Sequence, residues 1–262
     1  MKEKLASAIK AALIAGKDIM DVYKTDFDVF VKSDNSPLTL ADQKANTSIN
    51  AILKPTDIPV ISEENKQEPF KVRQKWDTCW MVDPLDGTKE FLKQNGEFTV
   101  NIALIEHSKP VMGVIYVPVS KTLYYAVVSE RKAFKCDLQS HKLTESVFET
   151  RTEIYPVQTN TGILKIVGSR SHQNETTLNY IATLQSEGHK TELVSKGSSL
   201  KFCMVAEGLA AIYPRFAPTM EWDTAAGHAI CKAVGVSVNQ IDGQEEIRYN
   251  KADLLNPYFI VQ

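Results

Sequence analysis

The sequence lacks a strong excess of charge of either sign: 30 lysines and arginines stand against 32 aspartates and glutamates. A net charge of −2 gives no global field for a nucleic-acid polymer or an anionic membrane. Any anionic ligand must therefore be held by a local cluster of cations. Cysteine is sparse. Cys79, Cys136, Cys203 and Cys231 lie far apart and form no C-x-x-C pair. That spacing excludes a zinc ribbon or a redox dithiol and suits a reducing compartment. No stretch approaches the ~18 apolar residues of a membrane span. The first residues lack the apolar core of a secretory signal, so a cytoplasmic location is expected. Internal repeats and low-complexity tracts are missing. So are the phosphate loops G-x-x-x-x-G-K-[ST] and G-x-G-x-x-G, the elbow G-x-S-x-G, the zinc motif H-E-x-x-H and the EF-hand order of acids.

What remains is an ordinary globular composition, 43% hydrophobic and 24% charged over 262 residues. That is enough chain for one large domain or two closely packed lobes. Residues 2–23 carry apolar side chains at helical spacing, and a second helix opens near Asp42. Residues 58–62 and 78–82 read as strands, and the second runs straight into Asp83-Pro84. Alternation across 98–105, 111–117 and 123–128 predicts an antiparallel meander. The polar segment 137–161 is the place for a boundary, which divides the chain into residues 1–150 and 151–262. Beyond it the pattern predicts strands at 164–167, 192–195, 210–213 and 258–261. Helices are expected at 174–186, at 198–207 and from Asp223 onward. Alternating helices and strands predict an α/β class, or α+β in layers.

Chemistry concentrates in three places. Trp80-Met81-Val82-Asp83-Pro84-Leu85-Asp86-Gly87-Thr88 delivers two carboxylates, three residues apart, around a turn at a strand end. The Leu85 carbonyl can face the same point, and hard oxygen ligands of this kind select Mg²⁺ over Zn²⁺. The same string is also compatible with an Asx turn that binds nothing. Ser62-Glu63-Glu64 ends another strand in an acid pair, which is either solvated or set beside Asp83. Glu221-Trp222-Asp223-Thr224-Ala225-Ala226-Gly227 opens a small-residue helix, where Asp223 is a cap or a ligand. Thr39-x-x-Asp42 matches a capping box. In the rival reading, Asp42 and the Thr88 hydroxyl orient a water nucleophile. Carboxylates a few Å apart repel by about 4 kcal/mol per pair at an effective dielectric near 20. A fold that gathers several must bind protons or cations.

The order strand-Glu-Glu, W-x-V-D-P-L-D-G-T, W-D-x-A-A-G resembles the inositol monophosphatase superfamily of Mg²⁺-dependent, lithium-sensitive phosphatases. Four local strings resemble its CysQ-type branch of bacterial 3'(2'),5'-bisphosphate nucleotidases. They are Asp86-Gly87-Thr88-Lys89-Glu90-Phe91, Gly168-Ser169-Arg170-Ser171-His172, Lys196-Gly197-Ser198-Ser199-Leu200-Lys201 and Tyr213-Pro214-Arg215. Residues 137–162 do not carry the pattern. The resemblance implies a layered α-β-α-β-α sandwich with the site between two lobes, the first carrying most metal ligands and the second Asp223 and the nucleotide-binding elements. It implies that Glu64, Asp83 and the Leu85 carbonyl hold one Mg²⁺, that Asp83, Asp86 and Asp223 hold another, and that a third ion shares Glu64. Asp42 and Thr88 would activate the water. The implied substrate is adenosine 3',5'-bisphosphate, cleaved to AMP and phosphate in sulfate assimilation. An inositol or sugar-phosphate monoesterase is the alternative. The implied assembly is a monomer or homodimer, soluble or peripheral on the inner membrane. Gly87 and Ser169 join the substrate-binding set with the glycine-serine turn Gly197-Ser198. A 5'-phosphate that the metals do not neutralise needs separate cations, for which Lys201, Arg215, Arg170 and His172 are candidates, ahead of Lys89 and Lys196. Free amides at Ser198, before a helix, would suit an anion.

Overall fold

The computed structural model describes residues 1–25, 29–31, 37–156, 162–169, 174–241 and 245–262. Arg170 and His172 lie outside this set. The chain begins with α1 (Lys2–Tyr23), β1 (Val29–Val31), β2 (Pro37–Thr39) and α2 (Leu40–Leu53). It continues through β3 (Val60–Ser62), α3 (Phe70–Arg73), β4 (Thr78–Asp86), α4 (Thr88–Leu92), β5 (Thr99–Glu106) and β6 (Lys109–Val117). Next come β7 (Thr122–Val127), β8 (Lys132–Asp137), α5 (Ser146–Glu149) and β9 (Thr152–Ile154). The remainder holds β10 (Ile163–Ser169), α6 (Glu175–Ser186), β11 (Lys190–Lys196), α7 (Leu200–Ala206), β12 (Tyr213–Arg215), α8 (Glu221–Ala233), β13 (Val238–Gln240) and β14 (Phe259–Val261).

Strands β3 to β9 form a sheet in simple sequence order. Every pairing in it is antiparallel except β3 with β4, which run parallel. β5 is buried along almost its whole length, so it carries apolar residues on both faces. One face packs on α1 and α2 through Trp80, Val82, Ile102, Val114 and Tyr116. Gly16 of α1 allows that approach, because a Cβ there would lie 2.4 Å from the Tyr116 ring. The opposite face, with Met81, Ala103 and Ile115, packs on α7 and α8 through Phe202, Ala226 and Ile230. Beyond them β12, β14 and β13 form a second antiparallel sheet, and β10 pairs with β11 in parallel. A bridge from Ile166 to Ile212 joins the two groups. α6 covers them through Ile181, which packs with Ile166 and Ile212. The layers are thus α-β-α-β-α, as expected.

Several boundaries differ from the sequence reading. β4 does not stop at Val82 but runs to Asp86. Its register with β5 shifts between Asp83 and Asp86, a bulge that absorbs Pro84, which has no amide to offer a ladder. The strand expected at 210–213 is centred later, at Tyr213–Arg215. The short β13 carried no pattern of its own. β9 still pairs with β8, so the first sheet extends to Ile154. All four cysteines are buried free thiols. No described helix is long and apolar enough to cross a membrane.

Candidate active site

Parallel pairing of β3 with β4 sets Ser62 beside Val82, and so Glu63 beside Asp83 at the strand ends. The Glu63 amide still donates to the Val82 carbonyl at 3.2 Å. Alternation decides which acid faces the site. Ser62 points toward α2, where its hydroxyl donates to Asn46 at 2.8 Å. The next side chain, Glu63, points the other way. The sequence reading placed Glu64 among the ligands; in the structure it is Glu63 that meets Asp83 and Asp223. One carboxylate oxygen from each of Glu63, Asp83 and Asp223 lies within 4.8 Å of the others.

Asp83 is buried, and its carboxylate accepts from the Leu85 amide at 3.0 Å. Burial pushes its carboxyl well above the ordinary range, and the charges of Glu63, Asp86, Asp223 and Asp42 push it further. Asp223 sits at the third position of α8, and one of its oxygens accepts from the Met220 amide at 2.8 Å. The capping role is therefore real and coexists with a place in the cluster. Burial, then Asp86 and Glu63, raise the Asp223 carboxyl to about 8. An all-oxygen donor set this tight, with carboxyls driven toward protonation, fits a hard divalent cation.

Asp42 also serves two purposes, one per oxygen. Its Oδ2 accepts from the Thr39 amide and hydroxyl, each at 2.7 Å, which closes the capping box. Its Oδ1 accepts from the Thr88 hydroxyl at 3.3 Å, across 46 residues of sequence. Thr88 follows Gly87, whose φ of 92° turns the chain from β4 into α4. The Leu85 carbonyl lies 3.5 Å from the same hydroxyl.

Glu63, Asp83, Leu85, Asp86, Thr88 and Asp223 line a cleft of about 290 Å³ that also takes in Gly87, Ser169, Ser198, Lys201 and Arg215. Lys201 is buried, donates to the Ser198 carbonyl and lies 5.4 Å from the Tyr213 ring centroid. Burial lowers its pKa to about 8 against the pull of Asp86, with Arg215 lowering it further. Arg215 donates to the Pro218 carbonyl at 2.9 Å, and its buried Nε has no partner among the described residues. Two cations, one with an orphaned donor, thus stand in the same cleft as the acids.

The glycine-serine turn is arranged differently from expectation. The Gly197 amide donates to Glu97 at 2.9 Å and the Ser199 amide to Asp86 Oδ2 at 2.6 Å. Protein carboxylates therefore occupy the amides on either side of Ser198, one of them that of Gly197, which the sequence reading assigned to substrate binding. Lys196 is paired with Glu97 at 3.2 Å. Sequence reasoning also missed Thr99 and Asn101, polar residues on one face of the buried β5. That incongruity was the available signal.

A model of the inositol monophosphatase family matches residues 1–262. The 3'(2'),5'-bisphosphate nucleotidases CysQ of Shigella flexneri and Escherichia coli strain K12 are 47% and 46% identical to this chain over 251 residues, which is 94% of this chain and 94% of each relative. The crystal structure of CysQ from Bacteroides thetaiotaomicron is 51% identical and matches with a TM-score of 0.91, covering 100% of this chain and 97% of that one. With a family match over its full length, and relatives this similar in sequence and fold, the chain belongs to the inositol monophosphatase family.

Proposed function

We propose that this protein is an Mg²⁺-dependent phosphatase that removes the 3'-phosphate of adenosine 3',5'-bisphosphate, giving AMP and inorganic phosphate. The observation that carries this reading is the pairing, in one cleft, of an acid cluster built around the buried Asp83 with two buried cations, Lys201 and Arg215. A substrate with two phosphates offers one to each group. The names of the curated relatives support the same substrate class.

Glu63, Asp83, Asp86, Asp223 and the Leu85 carbonyl are the groups that would hold the cations. When bound, Mg²⁺ neutralises phosphate oxygens, acidifies the attacking water and stabilises the leaving alkoxide. The protein's own part is positioning. The Thr88 hydroxyl donates its proton to Asp42, which leaves its oxygen as an acceptor for the proton of a water. Asp42 is locked by Thr39, so the direction of that acceptor is fixed before substrate arrives. Lys201 and Arg215 would bind the 5'-phosphate. A dianion beside Lys201 favours the charged amine that burial disfavours.

The test is a comparison of rates on adenosine 3',5'-bisphosphate, 3'-AMP and inositol 1-phosphate, for the wild type and for Lys201→Ala. Wild type is expected to prefer the bisphosphate. The variant is expected to lose about tenfold or more in kcat/KM on it, the value of a charge-assisted hydrogen bond, and far less on the monophosphates. A wild type faster on inositol 1-phosphate, or equal losses on all three, would overturn the substrate assignment.

A further inference from the structure

We propose that Thr99 is a positioning residue for the acid cluster, holding Asp86 so that a single carboxylate oxygen, Oδ1, is left for a cation. The proposal rests on the reading of Asp86 as a ligand. Thr99 opens β5 opposite Asp86 of β4 and is fully buried. Its Oγ1 lies 2.7 Å from Ser198 Oγ, 2.8 Å from Ser199 Oγ and 3.0 Å from Asn101 Oδ1. It also lies 3.5 Å from Asp86 Oδ2.

Ser198 Oγ also lies within donating reach of the Asp86 carbonyl at 3.0 Å, and Ser199 Oγ of Asn101 Oδ1 at 2.7 Å. In each Thr99–serine pair either hydroxyl can supply the proton, and Thr99 can itself donate to Asn101 Oδ1 or Asp86 Oδ2. The serines lie about 100 residues further along the chain, so this one hydroxyl sits where two distant segments meet.

Asp86 is the object of the arrangement. Its Oδ2 accepts from the Ser199 amide at 2.6 Å and from Asn101 Nδ2 at 3.2 Å, with Thr99 at the edge of reach. Asn101 is in turn oriented through its Oδ1 by Ser199 and Thr99. Among the described residues no donor reaches Asp86 Oδ1. The carboxylate cannot rotate without breaking bonds to both β5 and the 197–199 turn. That turn has no slack, because a Cβ on Gly197 would lie 2.9 Å from the Glu97 carbonyl. Groups that orient a metal ligand in this way are worth about 10- to 100-fold in metal affinity.

The test is calorimetric titration of Mg²⁺ into chelator-stripped protein, without substrate. Thr99→Val keeps shape and removes the proton. It is expected to bind Mg²⁺ roughly tenfold more weakly or worse, while the stripped protein melts within a few degrees of wild type. Thr99→Ser, which restores the hydroxyl, is expected to recover affinity to within about threefold. Thr99→Val binding Mg²⁺ as tightly as wild type would overturn the proposal. Should Thr99→Val fail to fold, Ser199→Ala decides: it keeps the amide and loses the hydroxyl that orients Asn101. Several-fold weaker Mg²⁺ binding is expected there, and unchanged binding overturns the proposal. A wild type that binds no Mg²⁺ overturns the metal reading itself, which distinguishes the two failures.

Discussion

Asp83 and Asp223 are held under two pressures that a cation relieves, burial and like charge. The sign of the pH dependence follows. In the unfolded chain an aspartate titrates near ~4. In the folded, metal-free protein Asp223 titrates at about 8, and Asp83 is also raised. The folded state therefore holds more protons than the unfolded state between those limits. Its stability from these groups is full below the unfolded value and is lost as pH rises through the folded one. Melts of chelator-stripped protein are expected to shift to lower temperature from pH 5 to pH 8.5. Saturating Mg²⁺ should flatten or reverse that slope. Asp83→Asn removes one of the repelling charges. Its metal-free form should melt no lower than wild type, while turnover falls about a thousandfold, the several kcal/mol that metal catalysis supplies. Melting and steady-state rates on the same preparation check both halves.

At the level of elements, α8 has to lie very close to the first sheet for Asp223 to reach Asp83. Alanines 225, 226 and 229 line its buried face, and β6 answers with Gly113. A Cβ at Gly113 would lie 2.3 Å from the Ala226 carbonyl oxygen and 2.9 Å from the Ala229 Cβ. Neither neighbour has a flexible end that could yield. Gly113→Ala should therefore lift α8, costing about 1–3 kcal/mol of overpacking. It should also weaken Mg²⁺ binding by moving Asp223. Urea midpoints and Mg²⁺ titration measure the two effects, and a stable variant with normal affinity would contradict this account of the packing.

Across the whole molecule, one core joins segments from both ends of the chain: Ile61, Met81 and Ala103 share a cluster with Phe202, Ile230 and Val261. A second tie lies away from the cleft. The buried Arg73 guanidinium donates to Asn250 Oδ1 at 2.7 Å, to the Lys251 and Ala252 carbonyls at 3.1 and 3.3 Å, and to the Glu68 carbonyl at 2.9 Å. The Asn250 and Lys251 amides in turn hold Glu221, the first residue of α8. Arg73 thus links the loop after Glu63 to the helix that carries Asp223. With the core shared in this way, unfolding should be a single transition. Arg73→Met should lower its free energy by about 3 kcal/mol, since buried acceptors lose their donors. Denaturant melts followed by two probes check both, and separated transitions would refute the shared core.

The sequence by itself determined the class of layers, the strand that delivers Asp83 and Asp86, a helix start within two residues of Asp223 and the residue types of an oxygen-rich site. These are local matters, fixed by periodicity, by Pro84 and Gly87, and by capping patterns within a few residues. The contact between Asp42 and Thr88 spans 46 residues and is a matter of packing. Only the tertiary structure decided which of two adjacent glutamates faces Asp83, because that depends on the register of β3 against β4. It likewise decided that Glu97 and Asp86 accept from the Gly197 and Ser199 amides, and that Thr99 stands between Asp86 and the two serines. Those partners lie about 100 residues apart. A chain reveals its own turns and faces, but which oxygen meets which donor is set by how distant segments pack.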